Sequence, residues 1–246
     1  MASKGNWIAT VVIAAAILVG ACIGSYALRH RNDGPKTISV KGSAEQNFVS
    51  DLVVWDLTLV SHSSTPLQGL RDVDRQRDIL RNFLKEKGVR DEELVFGAVD
   101  YYHDTKGYYD KSQDRYVEID NGYNVSQVAT VTSNSVDNVE LIARSVGELI
   151  ELNVTVNAQA PKYYYTKLAS LKLEMVAAAA QDARDRADAI AKESNGKLGG
   201  VRRSSLGIFQ IVGRYSNEDY SWGGNFNVSS KEKTVSVTVT SEFLVR

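Results

Sequence analysis

Residues 52–88, LVVWDLTLVSHSSTPLQGLRDVDRQRDILRNFLKEKG, change hydrophobic period part-way along, and that change decides the fold class. From Leu52 to Ser61 the side chains alternate: Val53, Trp55, Leu57 and Leu59 fall on one face, Val54, Asp56, Thr58 and Val60 on the other. Alternation of this kind marks a β-strand with one buried face. From Leu67 to Lys87 the apolar residues Leu70, Val73, Ile79, Leu80, Phe83 and Leu84 recur at helical spacing among many charges, and Gly88 stands where a helix stops. A strand thus runs into an amphipathic helix.

The pattern extends in both directions. Thr37 to Gly42 reads as an opening strand. Leu94 to Tyr102 and Arg115 to Ser133 read as two long strands of a hairpin, joined by the polar, tyrosine-containing connection His103 to Asp114 with Gly107 in it. Val136 to Leu149 predicts a second helix, and Asn153 to Tyr165 a further strand. Thr166 to Ser194 predicts the longest helix, with a seam of Leu168, Leu171, Met175, Ala179, Ala183, Ala187 and Ile190 that ends at Asn195 and Gly196. Val201 to Gly213 and Lys233 to Val245 supply the last strands, on either side of a loop rich in Gly, Ser and Asn. The order is ββ-α-ββ-α-β-α-ββ. Helices fall between hairpins instead of after every strand, so the expected class is α+β, with antiparallel hairpins packed on three amphipathic helices, and not a doubly wound parallel sheet.

Ahead of this domain, Trp7 to Leu28 carries no ionisable side chain except Cys22 and Tyr26. At ~1.5 Å per residue these 22 residues reach about 33 Å, close to the hydrocarbon thickness of a bilayer and longer than a usual signal-peptide core. Residues 1–6 form a tail, 7–28 a transmembrane anchor or signal, 29–36 a linker and 37–246 the domain. Three fates of the segment stay open: retention as an anchor, cleavage near Ala27 after the small residues around Ser25, and lipidation at Cys22 in the lipoprotein-like run Val19, Gly20, Ala21, Cys22. Lys4 on one side faces Arg29 and Arg31 on the other, so charge does not set the orientation.

Composition narrows the function classes. The 29 basic and 30 acidic residues leave a net charge of −1, unlike a protein built to grip a phosphate backbone, so no nucleic-acid partner is expected. The single cysteine forms no intrachain disulfide. His30, His62 and His103 stand far apart without ligand spacing, so neither a metal nor a cofactor is expected. His62, beside Ser61, Ser63 and Ser64, is the one start toward a nucleophilic constellation, and it lacks a nucleophile elbow. His103 with Asp100 and Asp104 is half a metal site at best. Asp51 and Asp56, an odd number of residues apart, point to opposite strand faces, and Asp51 is expected to accept backbone hydrogen bonds at a turn. Gly196 to Gly200 follows a helix, so it offers carbonyls rather than a phosphate cradle.

Tyrosine is the unusual component. Tyr108, Tyr109, Tyr163, Tyr164 and Tyr165, with Trp222 in the loop SWGGNFN, are candidates for an interface, since these side chains combine apolar area with a polar tip.

The run ISVKGSAEQNFVSD, Ile38 to Asp51, followed by the alternating strand and by MVAAAAQDARDRADAIAKESNGKLGGV, Met175 to Val201, resembles the SIMPL-domain family. The likeness rests on Gly42 and Ala44, Asp51, the Ala-rich helix ending at Asn195 and Gly196, Leu198 and Gly199, and a final Val-rich strand. Ser50, where a proline is common, and Glu151 to Val154, where a Gly-Asn turn is frequent, depart from the pattern. The resemblance implies an exported or periplasmic bacterial protein of unassigned activity, related to periplasmic immunogenic antigens and to envelope stress, with no catalytic residues to transfer. The expectation is a non-catalytic envelope protein, held in the membrane by its N-terminal helix, whose periplasmic domain self-associates as a homo-oligomer. A ligand-binding or sensing module using Trp222 and the tyrosines is the alternative, and a hydrolase the weaker one.

Overall fold

In the computed structural model, residues 4–29 and 35–246 are described. The expected strand forms as β2 (Leu52–Ser63), and Val53, Trp55, Leu57 and Leu59 are all buried on one face. That face is covered by α2 (Pro66–Glu86), which contributes Val73, Leu80, Phe83 and Leu84 to the same core. Burial of each such side chain is worth about 1.5–3 kcal/mol. Thr65 caps α2 by accepting the Gln68 N–H, Pro66 occupies its first turn, and Gly88 ends it at φ +94°. Close approach of helix to sheet depends on Gly69, where a Cβ would come within 2.4 Å of Val125 Cγ2. Gln76, buried in the same helix, donates to the Val60 carbonyl at 3.2 Å and accepts the Thr155 N–H at 2.7 Å.

The remaining elements are α1 (Lys4–Arg29), β1 (Thr37–Val49), a 3-10 turn (Asp91–Glu93), β3 (Leu94–Asp110), β4 (Arg115–Ser133), α3 (Val136–Ser145), α4 (Glu148–Glu151), β5 (Val156–Ala158), β6 (Lys162–Tyr164), α5 (Leu168–Glu193), β7 (Leu198–Leu206), β8 (Gln210–Gly213), β9 (Asn225–Phe226) and β10 (Glu232–Val245). One sheet has the order β3-β4-β2-β5, with β6 also on β2; the other runs β1-β10-β8-β9, with β7 on β10. The resolved pairings are antiparallel apart from β8 with β9. The class is α+β.

The chain divides into two compact units. The larger comprises Ser43–Ala179 and Leu206–Thr238 and contains the β2–α2 core with β4, α3 and Leu149. The smaller comprises Met1–Gly42, Ala180–Ser205 and Val239–Arg246, and in it Ala183 and Ala187 of α5 pack against Val40 and Phe243. Alanine at these positions lets the helix backbone lie close to the strands. The buried seam of α5 steps by four through Leu171, Met175 and Ala179 in the larger unit and Ala183, Ala187 and Ala191 in the smaller. Ile190, expected on that seam, is exposed, because Ala191 continues the four-residue step. Asn195 at φ +57° and the Gly196 N–H donating to the Ala191 carbonyl close the helix where expected.

Several boundaries differ from expectation for local physical reasons. The helix over Val136 to Leu149 breaks at Val146 and Gly147, where Ser145 Oγ donates to the Ile142 carbonyl and the backbone bonds tighten to three-residue spacing. The strand over Asn153 to Tyr165 is interrupted at Gln159–Pro161: proline has no N–H for the ladder, and the Gln159 carbonyl accepts the Trp55 indole N–H at 2.8 Å instead. The strand from Val201 is interrupted at Gly207, whose N–H bonds the Thr238 carbonyl in a space too tight for a Cβ. The opening strand runs on to Val49.

The N-terminal helix α1 contains Val11–Arg29, 19 residues long and apolar enough to cross a membrane by length and composition. It starts at Lys4, inside the expected tail. Most of the expected linker, residues 30–34, lies outside the described residues.

Candidate functional site

The connection His103 to Asp114, expected as a polar loop, is strand up to Asp110. Tyrosine favours extended, half-exposed backbone, and the segment continues β3 in register with β4 as far as Asp110 opposite Arg115. The turn is closed by the Asp110 carboxylate, which accepts the Ser112 N–H and hydroxyl, and by Asp114 at φ +49°. β2 leaves β4 at Ser63 opposite Tyr123. Beyond that point, among the described residues, β3 and β4 pair only with each other, as a two-stranded ribbon of residues 104–122.

Both faces of this ribbon meet solvent. Tyr108 and Tyr109 are 51% and 54% exposed, Tyr116 65% and Ile119 52%, and Tyr101 and Tyr102 stand equally open on β3 nearby. Tyr116 lies across Gly107, where a Cβ would sit 2.1 Å from its ring. The Tyr109 hydroxyl donates to Asp114, which raises the phenol above its ordinary range. β3, 17 residues long, is the terminal strand of its sheet.

At the root of the ribbon the register brings together groups far apart in sequence. His62 pairs with Asn124 across one side of β4, and His103 pairs with Tyr123 across the other. A register shift between His103 and Thr105 carries Asp104 to 3.6 Å from His62 Nε2, and Asn121 bridges the two by donating to Asp104. His103 Nε2 lies 3.0 Å from Asp120 Oδ1, and the imidazole lies tilted against the Tyr123 ring with centroids 4.9 Å apart. Asp120 also accepts the Gly122 N–H, and these bonds hold its carboxyl below the usual range. Gly122 sits at φ +91° with the Ser63 carbonyl 2.5 Å from where a Cβ would be, so only glycine fits. His62, Ser63, Ser64, Gln68 and Asn121 line a polar cleft of about 580 Å³.

The serines beside His62 are not wired to it as nucleophiles. Ser63 donates to the Thr65 carbonyl and Ser64 to Gln68, so neither hydroxyl is aimed at His62. Among the described residues no group of three or more His, Cys, Asp or Glu side chains is placed to hold a metal ion. Asp51 and Asp56 act separately: Asp51 accepts the backbone N–H and hydroxyl of Thr166, both at 2.7 Å, a long-range partner instead of a local turn, and Asp56 accepts from Thr130 and faces Lys162.

The other interface candidates fall in different places. Tyr163 is buried and belongs to the core, because β6 pairs it with Val53 on the buried face of β2, and it offers little exposed area to an interface. Tyr164 and Tyr165 are half-buried, the latter against Phe48 at 5.0 Å. Trp222 is 88% exposed, edge-on to Tyr220, on a loop that Gln210 fixes from below. Buried Gln210 donates to the Ser221 carbonyl at 2.7 Å and accepts the Asn225 N–H at 3.0 Å. Cys22 is exposed on α1.

One buried cation was not anticipated. Lys233 is 2% exposed, and its Nζ donates to the Tyr163 carbonyl at 2.5 Å; burial pulls its pKa down to about 8. Its even spacing from Val235, Val237 and Val239 was the available signal, since alternation puts all four on one face. Neighbouring Lys231 instead pairs with Asp137 and Glu140, and both partners raise its pKa.

The features that carried the resemblance all recur in the fold: the opening strand, the strand after Asp51, the alanine seam of α5 with its Asn195–Gly196 stop, and the closing strand β10. The family model described as SIMPL, protein of unknown function (DUF541), matches residues 38–243. The chain belongs to the SIMPL family. A search of curated proteins gives no match. SIMPL membership brings no assigned reaction, so the roles of the ribbon, the histidine cleft and the Trp222 loop rest on their own geometry.

Proposed function

We propose that this SIMPL protein is a non-catalytic, membrane-anchored component of a bacterial envelope, whose domain lies on the periplasmic side and associates with other copies through the β3–β4 ribbon. The observation that carries this reading is the ribbon itself. A two-stranded hairpin standing alone is marginal in water, and a long edge strand with unpaired N–H and C=O groups is ordinarily shortened, covered or charged. Here the edge is 17 residues long, and the part beyond β2 shows tyrosines on exposed faces. Tyrosine suits an interface, offering large area at low rotamer cost. Anchoring through α1 would confine copies to one plane and raise their local concentration.

The test is the mass of the full chain in mild detergent by mass photometry across micromolar concentrations, beside a variant carrying Tyr102→Lys and Tyr108→Lys, charges that discourage edge pairing. Oligomers of the wild type that dissociate in the variant support the reading. A monomeric wild type at every concentration contradicts it.

A further inference from the structure

The loop carrying Trp222 forms one wall of a second, chemically different cleft within the larger unit. About 380 Å³ in volume, it is lined by Ile208, Phe209, Ile211, Gly224, Phe226 and Lys172. This is the lower end of the size range of small-molecule pockets, roughly 300–1,000 Å³. Side-chain hydrogen bonds and a tight glycine turn fix the loop that forms this wall. Gln210 grips Ser221 and Asn225, and Gly224 at φ +88° tucks the chain beside Ile208 and the Phe209 carbonyl, where a Cβ would come within 2.9 Å of both.

Two polar side chains, Asn225 and Lys172, interrupt a lining that is otherwise apolar or glycine, and Lys172 carries the charge. Lys172 reaches over the Phe209 ring, 5.2 Å from its centroid, and has no carboxylate partner among the described residues. An ammonium left on an aromatic face in a half-buried setting is a counter-charge without its anion. The acidic groups of the loop make no ion pair with Lys172 among the described residues: Glu218 accepts the Gly213 N–H and bonds Asn227, and Glu218 and Asp219 line an adjoining cleft that shares Asn225 and Phe226 with this one.

We infer that this cleft binds a small amphipathic anion, an apolar aryl or short acyl body seated between Ile208 and Phe226 with its carboxylate on Lys172. The site is independent of the ribbon, so its success or failure leaves self-association untouched. Its chemistry follows from one cation beside a mainly apolar, preformed groove.

The test uses the full chain in phosphatidylcholine nanodiscs, whose lipid is net neutral, titrated calorimetrically with 4-phenylbutyrate against empty nanodiscs. Saturable binding is expected, weaker by about tenfold for 4-phenyl-1-butanol, which keeps the body and loses the charge. Lys172→Met should weaken the carboxylate by about the same factor and leave the alcohol unchanged, whereas Lys172→Arg retains the preference. Ile208→Glu should abolish binding of the carboxylate with the urea midpoint of the protein preserved. Absence of saturable binding at millimolar carboxylate, equal affinity for the alcohol, preference for 4-phenylbutylamine, or an unaltered carboxylate affinity in Lys172→Met would each overturn the inference.

Discussion

Replacing Lys233 with methionine should stabilise the protein at neutral pH and destabilise it in strong base. The ammonium is 2% exposed with one carbonyl partner, and its pKa falls from the ordinary 10.5 to about 8. At ~1.4 kcal/mol per pKa unit, keeping that charge buried costs about 3 kcal/mol wherever both states are protonated, that is, below pH ~8. Between about pH 8 and 10.5 the folded protein has released the proton while the unfolded chain still holds it. Unfolding then takes up a proton, so wild-type stability rises with pH across this window and levels off above it. Methionine keeps the length of the side chain, removes the charge and leaves the Tyr163 carbonyl without its donor, a loss of about 1–2 kcal/mol. Lys233→Met should therefore exceed the wild type by about 1–2 kcal/mol at pH 7 and fall below it by a similar amount near pH 10.5. The assay is urea unfolding of the full chain in detergent, followed by tryptophan fluorescence, with the wild-type-minus-variant difference taken at each pH so that all other titrations cancel. A difference that does not change between pH 7 and 10.5 would refute the reasoning.

Three further outcomes concern Glu93 and two tightly confined glycines. Glu93, held by Arg90 at 2.9 Å and Ser133 at 2.6 Å, has its pKa lowered to about 2; its stabilisation is present above its ordinary 4.5 and is lost as pH falls toward 2, so Glu93→Gln should flatten the acid limb of the stability curve and cost about 2–3 kcal/mol at pH 7. Gly69→Ala drives a methyl to within 2.4 Å of Val125 and should lower stability by about 1–2 kcal/mol in thermal melts despite alanine's better helix propensity. Gly122→Ala meets both a left-handed backbone and the Ser63 carbonyl, and should cost about 2 kcal/mol or more, with hydrogen-exchange protection lost first in residues 104–122.

The parts of this fold that were legible in the sequence are those fixed by local periodicity. Val53 to Leu59 announced their buried face, Leu67 to Lys87 a helix stopped at Gly88, and the alanines of α5 a close-packed seam. What escaped reading depends on partners. The span from His103 to Asp110 looks like a loop by polarity, yet pairing with β4 makes it strand, and tyrosine there serves as a strand former. His62 and His103 seemed isolated because their common neighbour, the Tyr123–Asn124 step of β4, is set by strand register, which no local window contains. Tyr163 was grouped with its exposed-looking neighbours, although alternation through Tyr164 leaves one of any adjacent pair facing inward. Lys233 is the opposite case: its phase with Val235 was visible, and only its charge argued against burial.

Self-association through the ribbon is tested most directly in the membrane itself. In a Cys22→Ser background, Tyr108→Cys places one thiol on the ribbon and, in a parallel chain, Tyr215→Cys places one on a side chain 88% exposed elsewhere. Treatment of intact bacterial membranes with a short bis-maleimide should capture covalent dimers at position 108 and far fewer at 215. Equal capture at the two positions, or none at 108, would contradict the ribbon as the surface that joins one copy to the next.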